Sequence, residues 1–126
     1  MTELRALDEQ RGAAVEALCE LIVPGSVRVG SVVYVDALIA GMPPPVRDGA
    51  LASIDALAPA AAQGADALAE KAQTPEFGFV RALAIEAYYS DFVAPDREGP
   101  GAWSDIDFAP PAAQRLRKDW SWLGAS

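Results

Sequence analysis

Carboxylates are the side chains best suited to chemistry in this sequence, and they concentrate in one stretch. Residues 88 to 108, YYSDFVAPDREGPGAWSDIDF, contain five of them: Asp91, Asp96, Glu98, Asp105 and Asp107. Paired carboxylates act as general acids and bases, or bind hard cations. A helix-loop-helix calcium loop, however, needs ligands at alternating positions and a glutamate at the twelfth. The segment DFVAPDREGPGA has aspartates at its first and sixth positions and alanine at its twelfth, so its spacing argues against calcium.

Other catalytic groups are scarce. The chain contains no histidine, which removes the commonest general base at neutral pH and the commonest transition-metal ligand. The single cysteine, Cys19, lies on an apolar helical face and is predicted to be a buried structural thiol. Neither GPGAW nor PGSVRVGS has the spacing of a nucleotide-binding loop. These features argue against an autonomous enzyme and leave a solvated acidic loop as the simplest interpretation of the carboxylates.

Composition limits the class of protein and of partner. The 126 residues fit one domain over residues 1–126, and 52% hydrophobic with 22% charged residues is typical of a globular chain. The net charge of -8 argues against nucleic acid. The only basic run, Arg115, Arg117 and Lys118, suits the last turns of a helix. The start, MTELRALDEQ, has no apolar signal core, so we expect a cytoplasmic protein, or a periplasmic or membrane-associated one if a leader was removed or a partner carries it.

The elements that position this stretch are predicted to be helices. Apolar residues recur at helical spacing from Asp8 to Ile22, in 31–42, in 43–63 with an end near Pro59, in 65–72 and in 74–92. Residues 111–122 are predicted to form a last short helix. Asp8, Ser31 and Thr74 are the expected N-caps. The fold class is therefore all-α: a compact single-domain bundle of five to six helices with a long irregular C-terminal loop segment.

Aromatic residues crowd the same C-terminal region. Seven of the ten lie there: Tyr88, Tyr89, Phe92, Trp103, Phe108, Trp120 and Trp122. The hydrophobic core accounts for some of them, and Tyr88 and Trp120 fit inward positions. Trp103 lies between glycines and prolines, so a position in the hydrophobic core explains it less well. Exposed aromatics on a proline-stiffened backbone are typical of a binding surface, because they bury large area at little cost in conformational entropy.

The order of these features resembles the gluconate 2-dehydrogenase subunit 3 family. The resemblance runs from about Leu7 to Phe108 and rests on LDEQRGAAVEALCELIVPGS, VGSVVYVDALIAG, GALASIDALA and EAYYSDF followed by AW and DF. It implies a small non-catalytic subunit of a sugar or polyol dehydrogenase, whose large partner is an FAD-dependent oxidoreductase of the glucose-methanol-choline type, sometimes joined by a cytochrome c. This chain would then hold no cofactor, because the FAD belongs to the partner.

Under this hypothesis, the partner-binding residues are apolar contacts with a polar rim. The predicted apolar contacts are Tyr89, Phe92, Trp103, Phe108, Trp120 and Trp122, and the predicted rim is Asp91, Asp96 and Arg97. The alternative is a stand-alone helical enzyme or ligand-binding domain that uses the acidic loop 91–107. A third hypothesis is a dedicated chaperone that leaves the flavoprotein after its cofactor is inserted.

Overall fold

The computed structural model describes residues 3–105 and 123–124, and within these residues the chain is helical and contains no strand. The seven helices are α1 (Glu9–Ile22), α2 (Ser26–Val29), α3 (Ser31–Ala40), α4 (Pro44–Gln63), α5 (Ala65–Ala69), α6 (Pro75–Tyr89) and α7 (Ala102–Asp105). The all-α prediction is confirmed. The described residues contain more helices than the five to six expected, because α2 and α7 have only four residues each and leave no periodic pattern.

Helix α3 is the centre of the bundle. Eight of its ten residues are buried, which explains why its sequence is apolar around nearly the whole circumference. It packs against α1 and α6, and α4 closes the other side of the core against the same two helices. Leu18, Ile39 and Ile54 are at most 1% exposed, and burying a side chain of this size contributes roughly 1.5–3 kcal/mol.

Local signals explain most helix boundaries. The Asp8 side chain accepts a hydrogen bond from the Arg11 N–H (2.8 Å), and Thr74 Oγ1 accepts one from the Phe77 N–H (3.2 Å), so both predicted N-caps are confirmed. The prediction for Ser31 is wrong: Gly30, with φ 74°, occupies the N-cap position of α3, and Ser31 is the first helical residue. A left-handed residue is needed there because α2 and α3 meet in a tight turn.

Helix α4 passes through Pro59, contrary to the predicted end near that residue. A proline inside a helix removes one backbone hydrogen bond and costs about 3 kcal/mol. The helix nevertheless continues to Gln63, and its last turn buries Ala60 and Ala61. Tertiary burial on that turn offsets the local penalty. Helix α5 ends at Ala69 and α6 ends at Tyr89, each three residues before the predicted end. The helix predicted at 111–122 lies outside the described residues.

Candidate partner-binding surface

Tyr89 and Trp103 form an aromatic patch where α6 ends. Tyr89 is the last residue of α6 and is 45% exposed, and Trp103 lies partly exposed in α7. The Trp103 indole N–H donates a hydrogen bond to the Tyr89 carbonyl (2.9 Å). The Trp103 backbone N–H donates a second one to Asp91 Oδ1 (3.0 Å). Both donors of Trp103 therefore bind residues 89–91, which holds the indole beside the C-terminal end of α6 on a defined backbone.

Asp91 shapes the turn beneath this patch. It follows the C-cap of α6 with φ 68°, a left-handed conformation that aspartate tolerates better than most residues. Its side chain then accepts the N–H near the start of α7, and the residue is only 5% exposed. The prediction of Asp91 as rim is therefore wrong: its carboxylate is used inside the chain, where it ties α7 to α6. Gly101 is required beside it, because a Cβ there would lie 2.6 Å from the Asp91 carbonyl oxygen.

Phe92 also differs from its prediction as a partner contact. The predicted apolar contact is 1% exposed and lies in the main core, with its ring 5.3 Å from that of Tyr34 in an edge-to-face arrangement. A ring buried to this degree has no surface left for a partner. Its position follows from the turn at Asp91, which directs the chain back towards α3. Phe92 therefore anchors the loop that carries the patch.

The remainder of the loop is held against α2. The Ala94 N–H donates to the Val29 carbonyl (2.8 Å), and Arg97 Nη1 donates to the Val27 carbonyl (2.9 Å). Arg97 also forms ion pairs with Asp96 (3.5 Å) and with Glu16 (3.9 Å), and its side chain is 31% exposed. Asp96 and Arg97 are thus surface residues with internal contacts, and their role as a polar rim stays a prediction. Phe108, Trp120 and Trp122 lie outside the described residues.

The sequence analysis missed two carboxylates that organise this fold. Asp36, 2% exposed in α3, accepts hydrogen bonds from the backbone N–H groups of Arg5, Ala6 and Leu7 at 2.8–2.9 Å. Glu20 accepts hydrogen bonds from the N–H groups of Gly25 and Val27, and thereby caps α2 (3.0 and 2.9 Å). The available signal for Asp36 was a single acid inside SVVYVDALIA, since a buried charge needs internal partners.

Asp91 and Asp96, two carboxylates of the acidic loop, lie in different surroundings. Asp91 is buried beside α7, whereas Asp96 lies at the surface beside Arg97. No group of three or more His, Cys, Asp or Glu side chains with the arrangement of a metal site occurs among residues 3–105 and 123–124. These observations concern the described residues alone, and the acidic-loop alternative stays a hypothesis.

Cys19 is buried, as predicted, at 2% exposure, and this environment has a consequence for stability at high pH. Burial, together with the nearby Glu16 and Glu20 carboxylates, raises the pKa of its thiol from 9.0 to about 12. The unfolded thiol ionises first as pH rises, so its contribution to stability is complete below pH 9 and is lost towards pH 12. We expect this group to lower the free energy of unfolding by about 1 kcal/mol between pH 9 and pH 10.

Urea denaturation at pH 8, 9 and 10 measures this effect, with Cys19→Ala as the comparison. The variant should lack this part of the pH dependence, although its cavity makes it less stable at every pH. The series stops at pH 10 because burial and a hydrogen bond to Glu86 also raise the pKa of Tyr34, to about 12. Equal pH slopes for the two proteins would contradict the prediction.

No helix within the described ranges is long and apolar enough to cross a membrane. The chain matches no family model, no curated protein and no solved structure.

Proposed function

We propose that this chain is a non-catalytic small subunit that binds, stabilises or helps to mature a large FAD-dependent sugar or polyol oxidoreductase of the glucose-methanol-choline type. The observation that carries the proposal is the aromatic patch. Trp103 and Tyr89 stay accessible although the backbone beneath them is tied to the core by Asp91, Phe92 and Arg97. The partner class comes from the sequence resemblance.

The physical argument for binding concerns conformational entropy. Tryptophan and tyrosine dominate the binding energy of many protein interfaces. Their contribution is largest when they need not be ordered on binding. Trp103 meets this condition because both its indole N–H and its backbone N–H already donate hydrogen bonds. An aromatic side chain on a flexible loop would have to be ordered on binding, and that entropic cost would reduce its contribution.

In this proposal the chemistry belongs to the partner. The flavin of the large subunit takes hydride from a sugar carbon, and this chain contributes binding energy. A subunit that binds only the folded partner stabilises it in proportion to its affinity and concentration. A permanent subunit would be recovered in stoichiometric amounts, whereas a chaperone would be recovered only during maturation of the flavoprotein.

Replacing Trp103 by alanine tests the patch. We expect recovery of the flavoprotein by the tagged chain to fall at least tenfold, because truncating a central interface tryptophan costs about 2 kcal/mol or more in binding. The variant should remain folded, since Trp103 lies at the surface of a short helix outside the main core. The measurement is recovery from native cell extract, read by flavin absorbance and mass spectrometry, with circular dichroism to verify the fold.

Val46→Ala is the matched control, because Val46 is an apolar side chain with 48% exposure on α4. It should leave recovery unchanged. Equal losses for the two variants would show that the patch has no special role. A wild-type chain that recovers no flavoprotein would contradict the proposed function itself.

A further inference from the structure

A second surface, separate from the aromatic patch, is a groove between α1, the start of α3 and the loop at residues 96–97. Its volume is about 250 Å³. Its apolar lining comes from Leu4, Ala13, Val32 and Val33. Small-molecule sites usually occupy roughly 300–1,000 Å³. The groove is thus smaller than a typical cofactor site and is of a size to take one or two amino-acid side chains.

The groove has an acidic rim. Glu9, Glu16 and Asp96 supply three carboxylates against the single guanidinium of Arg97. That guanidinium is already engaged by the Val27 carbonyl and lies within 4 Å of both Asp96 and Glu16. The local field is therefore negative, and the net charge of -8 adds to it. A potential of this sign attracts cationic segments and repels anionic lipid surfaces.

The geometry points to a binding site for an extended protein segment in which leucine-sized and basic residues alternate. An apolar side chain would occupy the floor against Val32 and Val33, and the neighbouring arginine or lysine would reach Glu9 or Glu16 at the rim. Apolar burial supplies affinity, and the carboxylates supply selectivity for charge. This inference does not rest on the flavoprotein hypothesis, because no feature of the groove requires that partner.

The probe is the peptide acetyl-Leu-Arg-Leu-Arg-amide, titrated into the full chain and followed by amide chemical shifts. The shifts should move at Gly12, Ala13, Val32 and Val33, around the groove. The control peptide replaces both arginines by citrulline, which keeps the shape and removes the charge. It should bind about 2- to 30-fold more weakly, as expected for the loss of two partly exposed ion pairs. Equal affinities, or shifts confined to other surfaces, would overturn the inference.

Ala13→Lys provides the matching change in the protein. Ala13 is an exposed α1 residue at the groove, so lysine there is compatible with the fold and places a competing cation at the site. Peptide affinity should drop at least fivefold. Ala52→Lys, the same change at an exposed position of α4 that does not line the groove, should leave it unchanged. An Ala13→Lys protein with wild-type affinity would contradict the assignment.

Two further outcomes separate the alternatives. Trp103→Ala should not alter peptide binding, so failure of the flavoprotein experiment and failure of this one are distinguishable.

The chain's own basic run is a competing occupant of the groove. If the peptide bound only after Arg115, Arg117 and Lys118 were changed to glutamine, the groove would belong to that run and the proposal of a foreign segment would be wrong.

Discussion

Replacing Phe92 by alanine should lower the free energy of unfolding by about 3–5 kcal/mol, the usual cost of removing a buried phenylalanine ring. Phe92 is 1% exposed and lies edge-to-face with Tyr34, so the substitution removes both buried area and an aromatic contact. It also removes the anchor of the loop that runs from α6 to α7. Partner binding should therefore be lost together with stability, whereas Trp103→Ala should affect binding alone.

Urea denaturation measures this effect, and two variants make it specific. Phe92→Leu keeps much of the volume and should cost less than half as much. Tyr89→Ala removes an aromatic ring three residues earlier, but Tyr89 is 45% exposed, so its loss should cost no more than about 1 kcal/mol. If Phe92→Ala and Tyr89→Ala had equal effects on stability, Phe92 would not be the anchor described here.

Replacing Asp36 by alanine should lower the free energy of unfolding by about 2–4 kcal/mol. Its carboxylate accepts three backbone N–H groups, and the substitution leaves these donors without their acceptor. A buried donor that loses its partner costs about 1–3 kcal/mol. Leu7, which is 5% exposed, should account for most of the loss, because water reaches Arg5 and Ala6 more easily. Residues 3–7 should then detach from α3.

Hydrogen exchange of the Leu7 amide, together with urea denaturation, measures this detachment. Asp36→Asn should have an intermediate effect, because its amide oxygen can still accept from Ala6 and Leu7, while its NH₂ group cannot accept from Arg5. Asp48→Ala is the control: this aspartate is exposed on α4, and its removal should change stability by no more than about 0.5 kcal/mol. An Asp36→Ala protein as stable as this control would contradict the role of the carboxylate.

The aromatic residues of the C-terminal region show the limit of sequence reasoning in this protein. Their density predicted a surface with a function, and Tyr89 and Trp103 are exposed or partly exposed. Residue type alone could not separate Phe92 from them, because its inward direction depends on a left-handed turn at Asp91 and on a ring 58 positions earlier, Tyr34. A signal for the turn was present, since aspartate tolerates positive φ after a helix.

Properties that depend on neighbours within one or two helical turns were determined by the sequence itself. Helices α1 and α6 begin where Asp8 and Thr74 can cap them, and the apolar stripe of α1 places Cys19 in the core. Tertiary structure alone decided that α4 passes through Pro59, that Asp36 binds the N-terminal segment and that Phe92 turns inward. Each of these depends on packing or on groups far apart in the chain, and a local pattern of residue types does not record which distant group will supply the partner.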